Sequence, residues 1–164
     1  MSRRSVRYAA QAYLSAPQIA GIGKVFASPP KIARSQDAYE NMPPGTPSGS
    51  VLFVEILRVT ETRVALGGPT SGTKVNQYSL RLHLLFRSRQ QDSEAAMDDH
   101  DDQVEAILER LRQDRTLGTN GAILQYGQDE EGISISTGMP KTGGTGSTHV
   151  WTVIDGNVLE MITA

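Results

Sequence analysis

Residues 74–87 read Lys-Val-Asn-Gln-Tyr-Ser-Leu-Arg-Leu-His-Leu-Leu-Phe-Arg. Tyr78, Leu80, Leu82, Leu84 and Phe86 fall on one side of a period of two. Ser79, Arg81, His83 and Arg87 fall on the other, with Leu85 the exception. Such alternation marks a strand with one dry face and one wet face. Upstream, Val51-Leu-Phe-Val-Glu-Ile-Leu-Arg-Val59 is strongly β-prone and apolar on both sides. It reads as a central strand, continued over 60–66 with more polar alternation. Gly67-Gly-Pro-Thr-Ser-Gly-Thr73 joins the two as a turn-rich loop.

Together these segments predict one long hairpin over 51–89. Each arm is about 14 residues, roughly 45 Å at about 3.3 Å per residue. A chain of 164 residues folds into a domain about 40 Å across. The hairpin therefore protrudes or reaches a rim, with strand edges open to another chain. The alternative is a bulge near Thr60–Arg63 that folds it back.

Two helices flank the hairpin. Val6, Ala9, Ala10, Tyr13 and Leu14 share one face of a helix over residues 3–15, which Pro17 stops. Residues 93–115 form a longer helix with Val104, Ile107, Leu108 and Leu111 inward. Asp92 or Ser93 caps it, acids crowd its first half, and Arg110, Arg112 and Arg115 crowd its end, in keeping with the helix dipole. Lys24–Ala27 is a short strand ended by Pro29-Pro30, and 42–50 is a loop. Strands follow at about 122–127, 132–137, 149–154 and 158–163. Asp155-Gly156-Asn157 reads as a tight turn between the last two, and Gly138–Thr148 as a loop. The sum is a single α+β domain over 1–164 with a mostly antiparallel or mixed sheet.

Composition bounds the function. The 164 residues contain no cysteine, which excludes disulfides, zinc–thiolate sites and cysteine nucleophiles. No signal-peptide pattern follows the basic start, so synthesis in the cytoplasm is expected. The net charge of −2 conceals a dipole. Residues 1–91 carry 12 Lys+Arg and 4 Asp+Glu; residues 92–164 carry 4 and 14. The halves neutralise each other within one fold, or basic and acidic surfaces meet between copies head to tail.

Motifs for chemistry are weak. Gly67-x4-Gly72-Thr73-Lys74 misses the phosphate-binding loop, because Thr73 intervenes and a strand follows. Asp98-Asp-His-Asp-Asp102 lacks the spacing of a calcium loop, and successive helical residues point about 100° apart. His83, His100 and His149 sit in no metalloprotease or nucleophile-elbow pattern. Trp151 reads as a core residue. Arginines on the hairpin could face phosphates, but the net charge is negative and aromatics are 5%. No catalytic, cofactor or metal residue is expected.

The order of elements carries a resemblance. An N-terminal helix leads to a short strand ending in Pro-Pro, then a strong strand and Gln77-Tyr-Ser-Leu-Arg-Leu-His-Leu-Leu-Phe-Arg87. The acidic helix with Val104-Glu-Ala-Ile-Leu-Glu-Arg-Leu111 and terminal strands follow. This layout resembles the tail terminator proteins of long-tailed bacteriophages across nearly the whole chain. The resemblance implies a structural virion protein and no enzyme. It implies a hexameric ring at the head-proximal end of the tail, made in the host cytoplasm. Its partners would be other copies, the tail tube protein and the head–tail connector, with DNA passing through unbound and no membrane involved.

Under that reading Arg63, Thr70, Ser71, Lys74, Arg81 and Arg87 are candidate interface residues on the hairpin. Asp98, Asp99, Asp101, Asp102 and Glu105 are candidates for an acidic surface in the lumen or between subunits, where negative charge would repel passing DNA. Another neck, head-completion or tube protein is the alternative. A small enzyme or ligand-binding domain is the remote one, and predicts a deep polar pocket around His83 or His149.

Overall fold

The computed structural model describes residues 1–28, 45–63, 72–90, 92–119, 124–126, 132–142 and 146–163. Among them are two helices, α1 (Arg3–Ser15) and α2 (Ser93–Gln113), and seven strands. The strands are β1 (Ile22–Phe26), β2 (Ser48–Arg63), β3 (Thr73–Ser88), β4 (Leu124–Tyr126), β5 (Ile133–Thr137), β6 (Lys141–Thr142) and β7 (Thr148–Thr163). All lie in one mixed sheet of order β1-β2-β3-β7-β4, with β5 and β6 also on β7. The fold is α+β.

The alternation in residues 74–87 acts as read. Tyr78, Leu80, Leu82, Leu84 and Phe86 are buried. On that face Tyr78, Leu80, Leu82 and Leu84 share one cluster with Leu52, Val54 and Ile56 of β2 and Ile154 and Val158 of β7. Both helices cover this face. α1 contributes Val6, Ala10 and Leu14; α2 contributes Val104, Ile107, Leu108 and Leu111. Each large apolar side chain so removed from water contributes about 1.5–3 kcal/mol. Ser2 caps α1 in a reciprocal box with Ser5, and Asp92 caps α2 through the Glu94 amide at 2.9 Å. Asp114 ends α2 one residue before Arg115, accepting hydrogen bonds from Thr116 and Gly118. Those bonds, chiefly from Thr116, hold its carboxyl below the usual range.

The hairpin is longer than its sequence signal. Its arms are 16 residues each, in register from Ser48↔Ser88 to Arg63↔Lys74. Residues 48–50, expected in a loop, are already strand. The bulge lies at Ile56–Arg58, not at Thr60–Arg63, and the arms stay paired beyond it. The β1 strand runs parallel to β2 but covers it only from Ser50 to Phe53. The first half of β2 is therefore central, as expected, and the second half is not.

Asp155-Gly156-Asn157 is not a turn. The expected pair of terminal strands is one continuous strand, β7, with Arg81↔Asp155, Leu80↔Gly156 and Ser79↔Asn157 in register. Gly156 lacks the positive φ that such a turn requires. Pairing on both sides outweighs the local signal. On its other edge β7 carries β6, β5 and β4 in succession, at 148–149, 152–156 and 158–160. Lys141–Thr142 thus forms a short strand inside an expected loop. The 67–71 part of the hairpin loop, with Thr70 and Ser71, lies outside the described residues, as do Pro29 and Pro30.

Candidate interaction surface

The outer half of β2 is the first element of the surface. From Val54 to Arg63 it pairs with β3 on one side and, among the described residues, with no strand on the other. That open edge spans roughly 33 Å at about 3.3 Å per residue. Leu57, the extra residue of the bulge, is 45% exposed, and Val59 is 44% exposed. Arg58, Glu61 and Arg63 are exposed along the same stretch. A bulge and charges on an edge discourage indiscriminate pairing while leaving backbone donors and acceptors available to a matched partner.

The second element is the sheet face away from the helices. Register places Glu55, Arg81 and Asp155 in one row across β2, β3 and β7, and Phe53, His83 and Val153 in the next. Arg81 and Asp155 form a two-pronged ion pair, which raises the guanidinium further above its usual range. His83 Nε2 lies 2.9 Å from Glu55 Oε2, and the Trp151 indole N–H donates to His83 Nδ1 at 3.3 Å. Since the indole can only donate, Nδ1 accepts and the ring proton sits on Nε2, facing Glu55. Trp151 is 55% exposed, so the expectation of a core tryptophan is corrected. It lies on the same side of the sheet as Arg81, opposite the helix-covered core. Phe26 stacks on Phe53 at 5.0 Å in a small apolar cluster with Val51 and Leu85 at one end of this face.

The candidate residues distribute unevenly over these elements. Arg63 and Lys74 face each other near the hairpin tip, and Lys74 Nζ also meets Glu61 at 3.1 Å. Arg81 and Arg87 lie in mid-sheet, Arg87 opposite His149. Burial, then Arg87, pushes the His149 imidazole below its ordinary value. On α2, Asp98, Asp101, Asp102 and Glu105 are exposed, and Asp99 accepts from Gln90 at 2.5 Å. His100 points inward, within 2.8 Å of Thr152 Oγ1, and packs edge-on against Phe86. The acidic run thus splits between solvent and core.

Among the described residues, no three His, Asp or Glu side chains converge on a common metal position. A groove of about 390 Å³ lies beside Leu57, Arg81, Ser134 and Asp155, away from both His83 and His149. A second of similar volume lies between Gly21, Ser48, Asp99 and Gln103.

Sequence reasoning missed three features of this surface. Leu57 was hidden because a bulge changes which side a residue faces. Trp151 was hidden because its apolar neighbours suggested a buried strand. The cluster of Arg4, Arg7 and Tyr8 on α1 was legible in principle, since three arginines stand at the wrong end of a helix.

No known protein-family model matches the chain, and no curated protein matches its sequence.

Proposed function

We propose that this chain is a structural virion protein, a phage tail terminator that assembles with its own copies into a ring capping the tail tube. The observation that carries the reading is the outer half of β2, ten residues that pair with no strand on one side among the described residues, on a hairpin whose arms are 16 residues each. A strand edge of that length, blunted by a bulge and charges, suits a selective β-partner. The second support is the layout of helices and strands, which resembles that family. The ring would be hexameric, with tube protein on one face and the head–tail connector on the other. DNA would pass through its hole without specific binding.

The test is direct. Purified chain is added to growing tail tubes and the tubes are imaged by electron microscopy. Rings seated at one tube end, with elongation halted, are the expected result. Tubes that elongate unaffected, or chain spread along their whole length, would sink the terminator reading; the latter would favour a tube protein.

A further inference from the structure

The two helices carry opposite charge and treat their own dipoles in opposite ways. α2 holds seven carboxylates and two arginines, with Glu94 in its first turn and Arg110 and Arg112 in its last. That order matches the helix dipole. α1 holds three arginines and no acid, all within its first five residues. There they face the positive end of their own helix, an unfavourable arrangement.

Among the described residues no acid relieves this. Arg3 reaches the Ile56 carbonyl, a neutral group. Arg4 and Arg7 lie against the ring of Tyr8, which is 45% exposed. Among the described residues no carboxylate stands within ion-pair distance of any of the three. Glu160, close to the helix start, is buried and already paired with the Met1 amine.

The complementary surface lies elsewhere on the same chain. Glu94, Asp98, Asp101, Asp102, Glu105 and Glu109 recur at helical spacing, so they form one stripe down the outer face of α2. Arg112 neutralises its far end through Glu105 at 2.6 Å and Glu109 at 3.8 Å. Glu94, Asp98 and Asp102 have no basic partner among the described residues.

The two patches cannot meet within one chain. The helices touch at their C-terminal ends, where Tyr13 Oη donates to the Arg110 carbonyl at 2.6 Å. The start of α1 lies over Tyr78, whose hydroxyl donates to the Met1 carbonyl at 2.7 Å. The first half of α2 lies over Phe86 through His100. Tyr78 and Phe86 are eight residues apart on one strand, roughly 26 Å at about 3.3 Å per residue. Physiological salt screens charges over about 8 Å, so the patches do not feel each other.

We infer that the Arg4–Arg7–Tyr8 patch of one copy docks on the Glu94–Asp98–Asp102 stripe of the next, head to tail. Complementary patches at opposite ends of one body generate a ring if the rotation closes and a filament if it does not. This rests on the self-assembly within the proposed function and names the contact that makes it.

Reversal of charge tests it by sedimentation velocity. R4E/R7E alone and D98K/D102K alone each place like charges across the contact, and each should weaken self-association by at least about tenfold. Mixed in equal amounts they should assemble again, because every junction in an alternating array regains opposite charges. Raising salt toward 1 M, where screening acts over about 3 Å, should weaken the wild-type assembly.

If either variant assembles like the wild type, the contact is wrong and the ring reading stands. If both are monomeric and the mixture stays so, the head-to-tail pairing is wrong. If R4E/R7E assembles normally but loses binding to a labelled DNA duplex, the arginines serve a polyanion instead. If the wild type is monomeric at every concentration and salt, the contact and the ring fail together.

Discussion

Arg81 and Asp155 face each other across neighbouring strands and join through two hydrogen bonds, Nε to Oδ1 at 2.7 Å and a terminal nitrogen to Oδ2 at 2.8 Å. The pair sits where the sequence suggests a turn, and it clamps β7 to β3 at the point of weakest local strand signal. It is partly exposed, with each side chain 34% accessible, so water screens it. A double-mutant cycle of Arg81→Ala and Asp155→Ala should give a coupling of about 0.5–1 kcal/mol in urea unfolding. A coupling near zero would show that backbone pairing alone holds the register.

His100 ties α2 to the sheet through Thr152 and is almost wholly buried. Its removal leaves a void against Phe86 and takes one of two hydrogen bonds from the Thr152 hydroxyl, which keeps Thr137 at 3.3 Å. His100→Ala should therefore cost about 2–4 kcal/mol, read from the urea midpoint at constant slope. A loss below about 0.5 kcal/mol would mean that the helix is held by its apolar stripe alone.

Tyr78 and Glu160 share a buried hydrogen bond of 2.9 Å. Burial, then the Glu160 hydrogen bond and charge, push the Tyr78 hydroxyl up to about 12. Between about pH 10 and 12 the unfolded chain loses this proton while the folded chain keeps it, so stability falls as pH rises. Two pH units correspond to about 2–3 kcal/mol at most. Tyr78→Phe should flatten that part of the stability curve; an unchanged slope would refute the assignment.

Glu160 runs the other way. Burial alone would raise its carboxyl, but hydrogen bonds from the Met1 amine, Tyr78 and Asn76 outweigh it and hold it low. Its contribution is full above the ordinary carboxylate range and fades as pH falls through the lowered folded value. Glu160→Gln should be less stable at neutral pH and converge with the wild type in acid. Parallel curves at all pH values would count against this.

Trp151 donates its indole N–H to His83 Nδ1, and its ring meets the imidazole edge-on at 5.7 Å. Removing the imidazole takes away the indole's acceptor, so His83→Ala should shift the emission of this sole tryptophan while circular dichroism stays the same. An emission spectrum identical to the wild type would show that the indole makes no such bond.

These residues also mark how far the sequence was legible. The period of two through Tyr78–Phe86 places β3, and the spacing of Val6, Ala10 and Leu14 places α1, because burial of one face dictates both patterns. The break misread at Asp155–Asn157 fails for a different reason. Turn chemistry is local, whereas β7 is fixed by pairing with strands some 75 residues upstream and about 20 upstream on its two sides. The candidate surface was half legible. Arg63 and Lys74 form the outermost described pair of the hairpin, and the bulge at Leu57 shifts the facing of the residues beyond it. The acids of α2 were visible as a run; that they form a stripe far from the α1 arginines depends on how the helices cross the sheet.

The three short strands laid along β7 have a further consequence. They tile that margin from Thr148 to Glu160 and themselves present borders of five residues or fewer. Among the described residues a newcomer seeking a long backbone seam finds one at β2 and only short ones beyond β7, so the two margins of the sheet do not offer equal invitations to another strand.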